Sequence, residues 1–148
     1  MTLLFTDMVG FTEFSKNNSP QEVVALLSRL FSRFDQLCDN IGCYKVHTIG
    51  DCYVVMGFNG KIPKERRNQQ VQIDEAYRVI QVGCEMIRVI RDEQQNTKNP
   101  CAEMLDMRIG IHTGKLIGGI IGTKLVRYDI FGSDVLIANK MESNGIAG

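Results

Sequence analysis

Apolar and polar positions recur along this chain with two periods, and the changes of period mark the elements. Val23, Val24, Leu27, Leu30, Phe31, Phe34, Leu37 and Cys38 return at intervals of three and four, the spacing of one helix face. Ser19-Pro20-Gln21-Glu22 supplies the start, with Ser19 as N-cap, Pro20 at the first helical position and Glu22 closing a capping box. Gly42 supplies the stop. A second helix is expected over residues 73–92, with Ala76, Val79, Ile80, Gly83, Met86, Ile87 and Ile90 on one face. A final helix over 134–142 should carry Val135, Ile137, Ala138 and Met141 inward.

Shorter, β-branched runs read as strands. Residues 2–6 form the first, and 7–12 a turn into a short helical segment. Residues 43–48 and 52–57 read as a hairpin around Ile49-Gly50-Asp51. Three further strands are expected at 105–111, 116–121 and 125–131, with Gly114-Lys115 turning between the first two. Residues 94–100 read as a loop. The polar stretch 59–70, with Lys61, Lys64, Arg66 and Arg67, reads as a solvated surface loop. The order β-α-β-β-α-β-β-β-α opens as the βαββαβ unit of a ferredoxin-like α+β fold with extra strands, an antiparallel sheet with helices on one face.

Composition narrows the possibilities. A length of 148 residues suits a single domain over 1–148. Lys+Arg and Asp+Glu balance at 17 each, so no global basic field argues for nucleic acid, and a polyphosphate site would have to be local. The five cysteines show no C-x-x-C pair, and four lie in apolar or amphipathic runs, as buried reduced thiols would. The two histidines stand apart from any cysteine pair, which argues against zinc. No apolar run approaches the ~20 residues of a membrane span, and the N-terminus lacks a charged region ahead of its apolar stretch.

Two aspartates stand out because each ends or interrupts an apolar run, where packing gives a carboxylate no reason to be. Asp7 follows Leu3-Leu4-Phe5-Thr6, and Asp51 sits at the hairpin tip before Cys52-Tyr53-Val54-Val55. Either alone reads equally as a turn cap. Side by side, with the Gly10-Phe11-Thr12 turn, they favour a site for a hard cation and a polyphosphate.

Four segments carry a resemblance: residues 3–12 (LLFTDMVGFT), 45–53 (KVHTIGDCY), 107–114 (MRIGIHTG) and 128–132 (YDIFG) running on to Met141-Glu142-Ser143. Together, in this order, they resemble the class III nucleotide cyclase catalytic domain, most like that of protist guanylate cyclases. The family domain continues past Gly148 with more sheet, so the chain is expected to be a fragment. The resemblance implies attack of a nucleoside triphosphate's 3′-hydroxyl on its own α-phosphate, with two Mg²⁺ or Mn²⁺ ions held by Asp7 and Asp51 and by the Met8 carbonyl. It further implies that backbone N–H groups of Val9, Gly10, Phe11 and Thr12 cradle the triphosphate, with Gly50 at the hairpin turn. Lys124 reads either as a phosphate-facing cation or as a surface lysine at a strand end.

Family sites form between two complementary domains. The positions of the partner's asparagine and arginine are here Leu136 and Lys140, which implies a metal-bearing half whose complement lies on another domain. The base-reading positions are His47 and Asp129. They match neither the Lys/Asp pair that goes with adenine nor the Glu/Cys pair that goes with guanine, and in a metal-bearing half they would line a second pocket. His47 and His112 read first as a hairpin residue and a strand-end residue. GTP is favoured over ATP by the protist likeness, which also implies a cytoplasmic domain whose parent reaches the membrane. A regulatory cyclase-like module would have no use for both aspartates. Another two-metal nucleotidyl enzyme on a related fold would not account for Gly110-Ile111-His112-Thr113-Gly114.

Overall fold

The first strand, β1 (Thr2–Val9), is buried along nearly its whole length because both of its faces and both of its edges are covered. The computed structural model describes residues 1–58, 69–124 and 126–148. The expected loop at 59–70 therefore lies outside the described residues except for its last two, as does Leu125.

Alternation along β1 sends Leu3, Phe5 and Asp7 to one face of the sheet and Leu4, Thr6 and Met8 to the other. A seven-residue helix α1 (Phe11–Asn17) follows, then α2 (Pro20–Ile41). The α2 capping box forms as expected: Ser19 Oγ accepts from the Glu22 amide, and the Glu22 carboxylate accepts from the Ser19 amide at 2.8 Å. Gly42 caps the other end, its N–H bonding the Cys38 carbonyl. The chain then builds β2 (Tyr44–Ile49), β3 (Cys52–Met56), α3 (Gln69–Asn96), a single turn α4 (Pro100–Glu103) and β4 (Asp106–Thr113). It closes with β5 (Ile117–Ile121), β6 (Arg127–Phe131) and α5 (Ser133–Ser143).

The main sheet runs β2-β3-β1-β4 and is antiparallel throughout, the strand order of a ferredoxin-like unit. Leu3 lies opposite Met56 on β3, and Asp7 opposite Arg108 on β4. One face packs Leu4, Tyr53 and Val55 against Leu26, Leu30 and Phe34 of α2 and Val79 and Met86 of α3. The opposite face packs Leu3, Phe5, Val54 and Met56 against Ile130 of β6 and Ala138 of α5.

Several expectations change. Strand β1 runs on through Asp7 to Val9, so the predicted turn at 7–12 shrinks to Gly10. Helix α3 reaches Asn96, and α4 takes up part of the expected loop. Gly114-Lys115 does not turn between paired strands: β5 leaves the main sheet and pairs with β6 in a separate two-stranded one. Helices cover both faces rather than one, because α5 returns across β4 and β1 opposite α2 and α3. On α5, Ala138 is buried and Val135 packs against the core as expected, but Ile137 and Met141 point outward, and Glu142 is buried in addition. Val24 and Ile80 are likewise exposed. All five cysteines are free; Cys38 and Cys43 are buried, whereas Cys84 is exposed.

Candidate functional site

Asp51 is placed by a two-residue turn. Ile49 pairs with Cys52, leaving Gly50 and Asp51 as the loop, with Gly50 at φ +60 and no non-glycine residue at positive φ. That sign pattern is the one a type II′ hairpin uses, and it matches the twist of the flanking strands. Two residues on, Tyr53 is fully buried, edge-on to Phe34 with centroids 5.5 Å apart. Its hydroxyl donates to Asp35 of α2, which also takes the Lys45 ammonium at 2.8 Å. The hairpin is thus pinned to α2 on one side while its tip reaches the end of β1. There the Met8 amide donates to Asp51 Oδ2 at 3.3 Å.

Asp7 sits one residue earlier on the face that α5 covers. The structure therefore brings the two predicted carboxylates together, one from a strand and one from a turn. Burial, and then the neighbouring Asp7 carboxylate, push the Asp51 pKa up against the lowering effect of its own amide and that of Met8. The Cys52 thiol is pushed up to about 11 by burial and by Asp7, Glu142 and Asp51 in turn. Three carboxylates thus act on one small volume.

The sequence reading missed the cation that answers them. Arg108, directly across from Asp7 on β4, donates from Nη2 to Asp7 Oδ2 at 2.6 Å and from Nε to Glu142 Oε1 at 3.0 Å. Glu142 reaches it because α5 lies almost on the backbone of β4: a Cβ on Gly110 would collide with the Glu142 backbone nitrogen. Burial raises the Glu142 pKa, and Arg108 opposes that rise. A signal was present in Met107-Arg108-Ile109, where a charge interrupts an apolar strand just as Asp7 does.

The donor set suits a hard cation. It offers two adjacent carboxylates in excess of the single guanidinium, and oxygen ligands are what Mg²⁺ and Mn²⁺ favour. Among the described residues no third His, Cys, Asp or Glu joins them in a metal-holding cluster. Asp7, Asp51 and the Met8 carbonyl are the protein oxygens available there. The turn from Val9 through Gly10 into Phe11 and Thr12 begins α1 beside them.

Other candidates fall elsewhere. Lys124 is exposed on the connection between β5 and β6, outside the main sheet. His47 and Asp129 do meet, Nδ1 to Oδ1 at 3.5 Å, where β6 touches β2. Asp129 is also bonded by Arg127 at 2.7 Å. His112 bonds Asp134 at 2.8 Å and so ties β4 to the start of α5. Leu136 and Lys140, one helical turn apart, both face outward from α5.

An antiparallel ferredoxin-like sheet whose inner strand and hairpin tip present paired carboxylates defines an α+β domain with a candidate hard-cation site. The family comparison specifies it further. The model of the adenylate and guanylate cyclase catalytic domain matches residues 1–148, and the chain belongs to that family. It is 40% identical over 148 residues to adenylate cyclase type 9 of Gallus gallus, and 39% identical over 148 residues to guanylate cyclase alpha of Plasmodium falciparum. All of this chain is matched in both, but it spans only 10% of the first relative and 3% of the second. Among solved structures, the guanylate cyclase domain of RhGC from Catenaria anguillulae, in complex with GTP, superposes with a TM-score of 0.80 at 29% identity. That match covers 99% of this chain and 73% of the other. Among the described residues no helix is long and apolar enough to cross a membrane.

Proposed function

We propose that this chain is the metal-bearing half of a purine nucleotide cyclase site, converting GTP to cyclic GMP and pyrophosphate when a complementary cyclase domain completes it. The observation that carries this reading is the convergence of Asp7 and Asp51 at the end of β1, held by the Met8 amide. Asp7, Asp51 and the Met8 carbonyl would hold Mg²⁺ or Mn²⁺. Two such ions would supply the lowered pKa of the 3′-hydroxyl and neutralise charge on the α-phosphate. The protein's own task is then placement: the Val9–Thr12 amides cradle the triphosphate, Gly50 at φ +60 sets the turn that presents Asp51, and Arg108 offers a guanidinium at its edge. Lys124, exposed after β5, would be a phosphate-facing cation in the paired site.

The need for a complement is supported by the surface of α5 and the β5–β6 hairpin. Ile117, Ile120, Leu136 and Met141 are more than half exposed there, an apolar face that a second domain would cover. Leu136 cannot hydrogen-bond a ribose, and Lys140 is a point charge rather than a fork, so those functions belong to the partner. ATP by the same chemistry is the second reading, favoured by the adenylate cyclase relative. The parent protein would present this domain to the cytoplasm from a membrane anchor.

The test is Mn²⁺- and Mg²⁺-dependent product formation from GTP and ATP, with the chain alone and mixed with a complementary cyclase domain. The expected result is activity in the mixture only, reduced about a hundredfold or more in Asp51→Ala and in Asp7→Ala. Undiminished turnover in either variant would sink the two-aspartate assignment. Demonstrated pairing without product would make the chain a regulatory module.

A further inference from the structure

Arg108 is placed to do something beyond balancing charge. Its guanidinium is gripped at two edges by carboxylates from different elements: Glu142 of α5 at Nε, 3.0 Å, and Asp7 of β1 at Nη2, 2.6 Å. The two grips are unequal. The Glu142 side chain is 9% exposed and its helix is seated on Gly110, whereas Asp7 is 33% exposed at the open side of the site. The buried partner therefore fixes the arginine, and the open partner is the one that can be given up. The oxygen Arg108 occupies, Oδ2, is one of only two that Asp7 can offer a cation.

Resting on the reading above, we propose that Arg108, anchored by Glu142, competes with a divalent cation for Asp7, which makes Glu142 a positioning residue that sets how tightly the site takes metal. A cation drawing on both Asp7 oxygens must turn Nη2 away, while Nε stays on Glu142. A cation using only the other oxygen still meets a positive guanidinium close by. In either arrangement the arginine lowers metal affinity and keeps Asp7 from being an unpaired carboxylate. Binding at this site is thereby weakened in favour of a cation that arrives already carried by a polyphosphate, whose oxygens give Nη2 a new acceptor.

The test uses the intact 148-residue chain and metal alone. Free Mn²⁺ is followed by electron paramagnetic resonance in wild type, Arg108→Gln and Asp51→Ala. Arg108→Gln should bind Mn²⁺ roughly fivefold more tightly than wild type, the size expected for releasing one half-exposed charge-assisted bond. Independently, titration of ¹⁵N-arginine-labelled wild type with Mg²⁺ should shift the Arg108 Nη signals and leave Nε–H in place, a signature that a distant field effect does not produce. If wild type binds Mn²⁺ through Asp51 but Arg108→Gln binds no more tightly, or the Nη signals stay fixed as metal saturates, the competition is overturned while the metal assignment stands. If neither protein shows Mn²⁺ binding that depends on Asp51, the two-aspartate reading fails with it. Should Arg108→Gln fold poorly, the wild-type titration alone decides.

Discussion

On one face of the main sheet, α2 and α3 bury Leu26, Leu30, Phe34, Val79 and Met86 almost completely. On the other, α5 buries an alanine and a glutamate, while Leu136, Ile137 and Met141 face solvent. The strands differ as well as the helices: β4 gives the first face Met107, Ile109 and Ile111, and gives the second Arg108, Gly110 and His112 beside Asp7. The first face is finished within the chain. The second holds the charged site at one end and an uncovered apolar surface at the other, and it is the face that a second domain would complete. Stability and activity are thus assigned to opposite sides of one sheet.

That division can be broken from the stable side first. Phe34→Ala removes a ring packed against Tyr53 and Phe31 and should cost about 3–5 kcal/mol in a denaturant titration. A loss under about 1 kcal/mol would mean that this face is not the core it looks to be. Gly110→Val is expected next. Its side chain must push Glu142 and α5 off β4, costing about 1–3 kcal/mol and freeing Arg108 from its anchor. The loss of activity on this substitution should exceed what the stability change explains. Leu136→Ser should shift stability by no more than about 0.5 kcal/mol, since the residue is already 67% exposed. Its effect should appear instead as weaker association with a complementary domain in sedimentation, and unchanged association would detach α5 from the interface.

How much could be read beforehand follows the same line. Helix α2 was legible to the residue because its cap, its apolar face and its glycine stop are all local signals. Helix α5 was misread in part because periodicity reports which residues are apolar, not where they go. Val135 and Ala138 do face the sheet, but the next contact along the helix is the charged Glu142 rather than Met141. Asp7 and Asp51 were visible as carboxylates out of keeping with their neighbours, and their juxtaposition follows from the β1–β3 pairing. Arg108 shows in the sequence as a charge within an apolar strand, but its partner depends on the β1–β4 register, which no local pattern encodes. The departure of β5 from the main sheet is likewise a long-range choice that the Gly114-Lys115 turn does not reveal.

The partners in the Asp7–Arg108 bond stand 101 residues apart, and this distance has a consequence for how the molecule is made. As the chain leaves the ribosome, β1 can zip against β3 once residue 56 has emerged, but its other edge stays open until β4 follows, more than fifty residues later. During that interval the nascent domain carries an apolar strand with one unpaired edge, the kind of surface that recruits chaperones or stray strands. The carboxylate pair exists by then without its guanidinium. Closure of β4 seals that edge of β1 and delivers the arginine in one step, so the covered strand and the counter-charge of Asp7 arrive together.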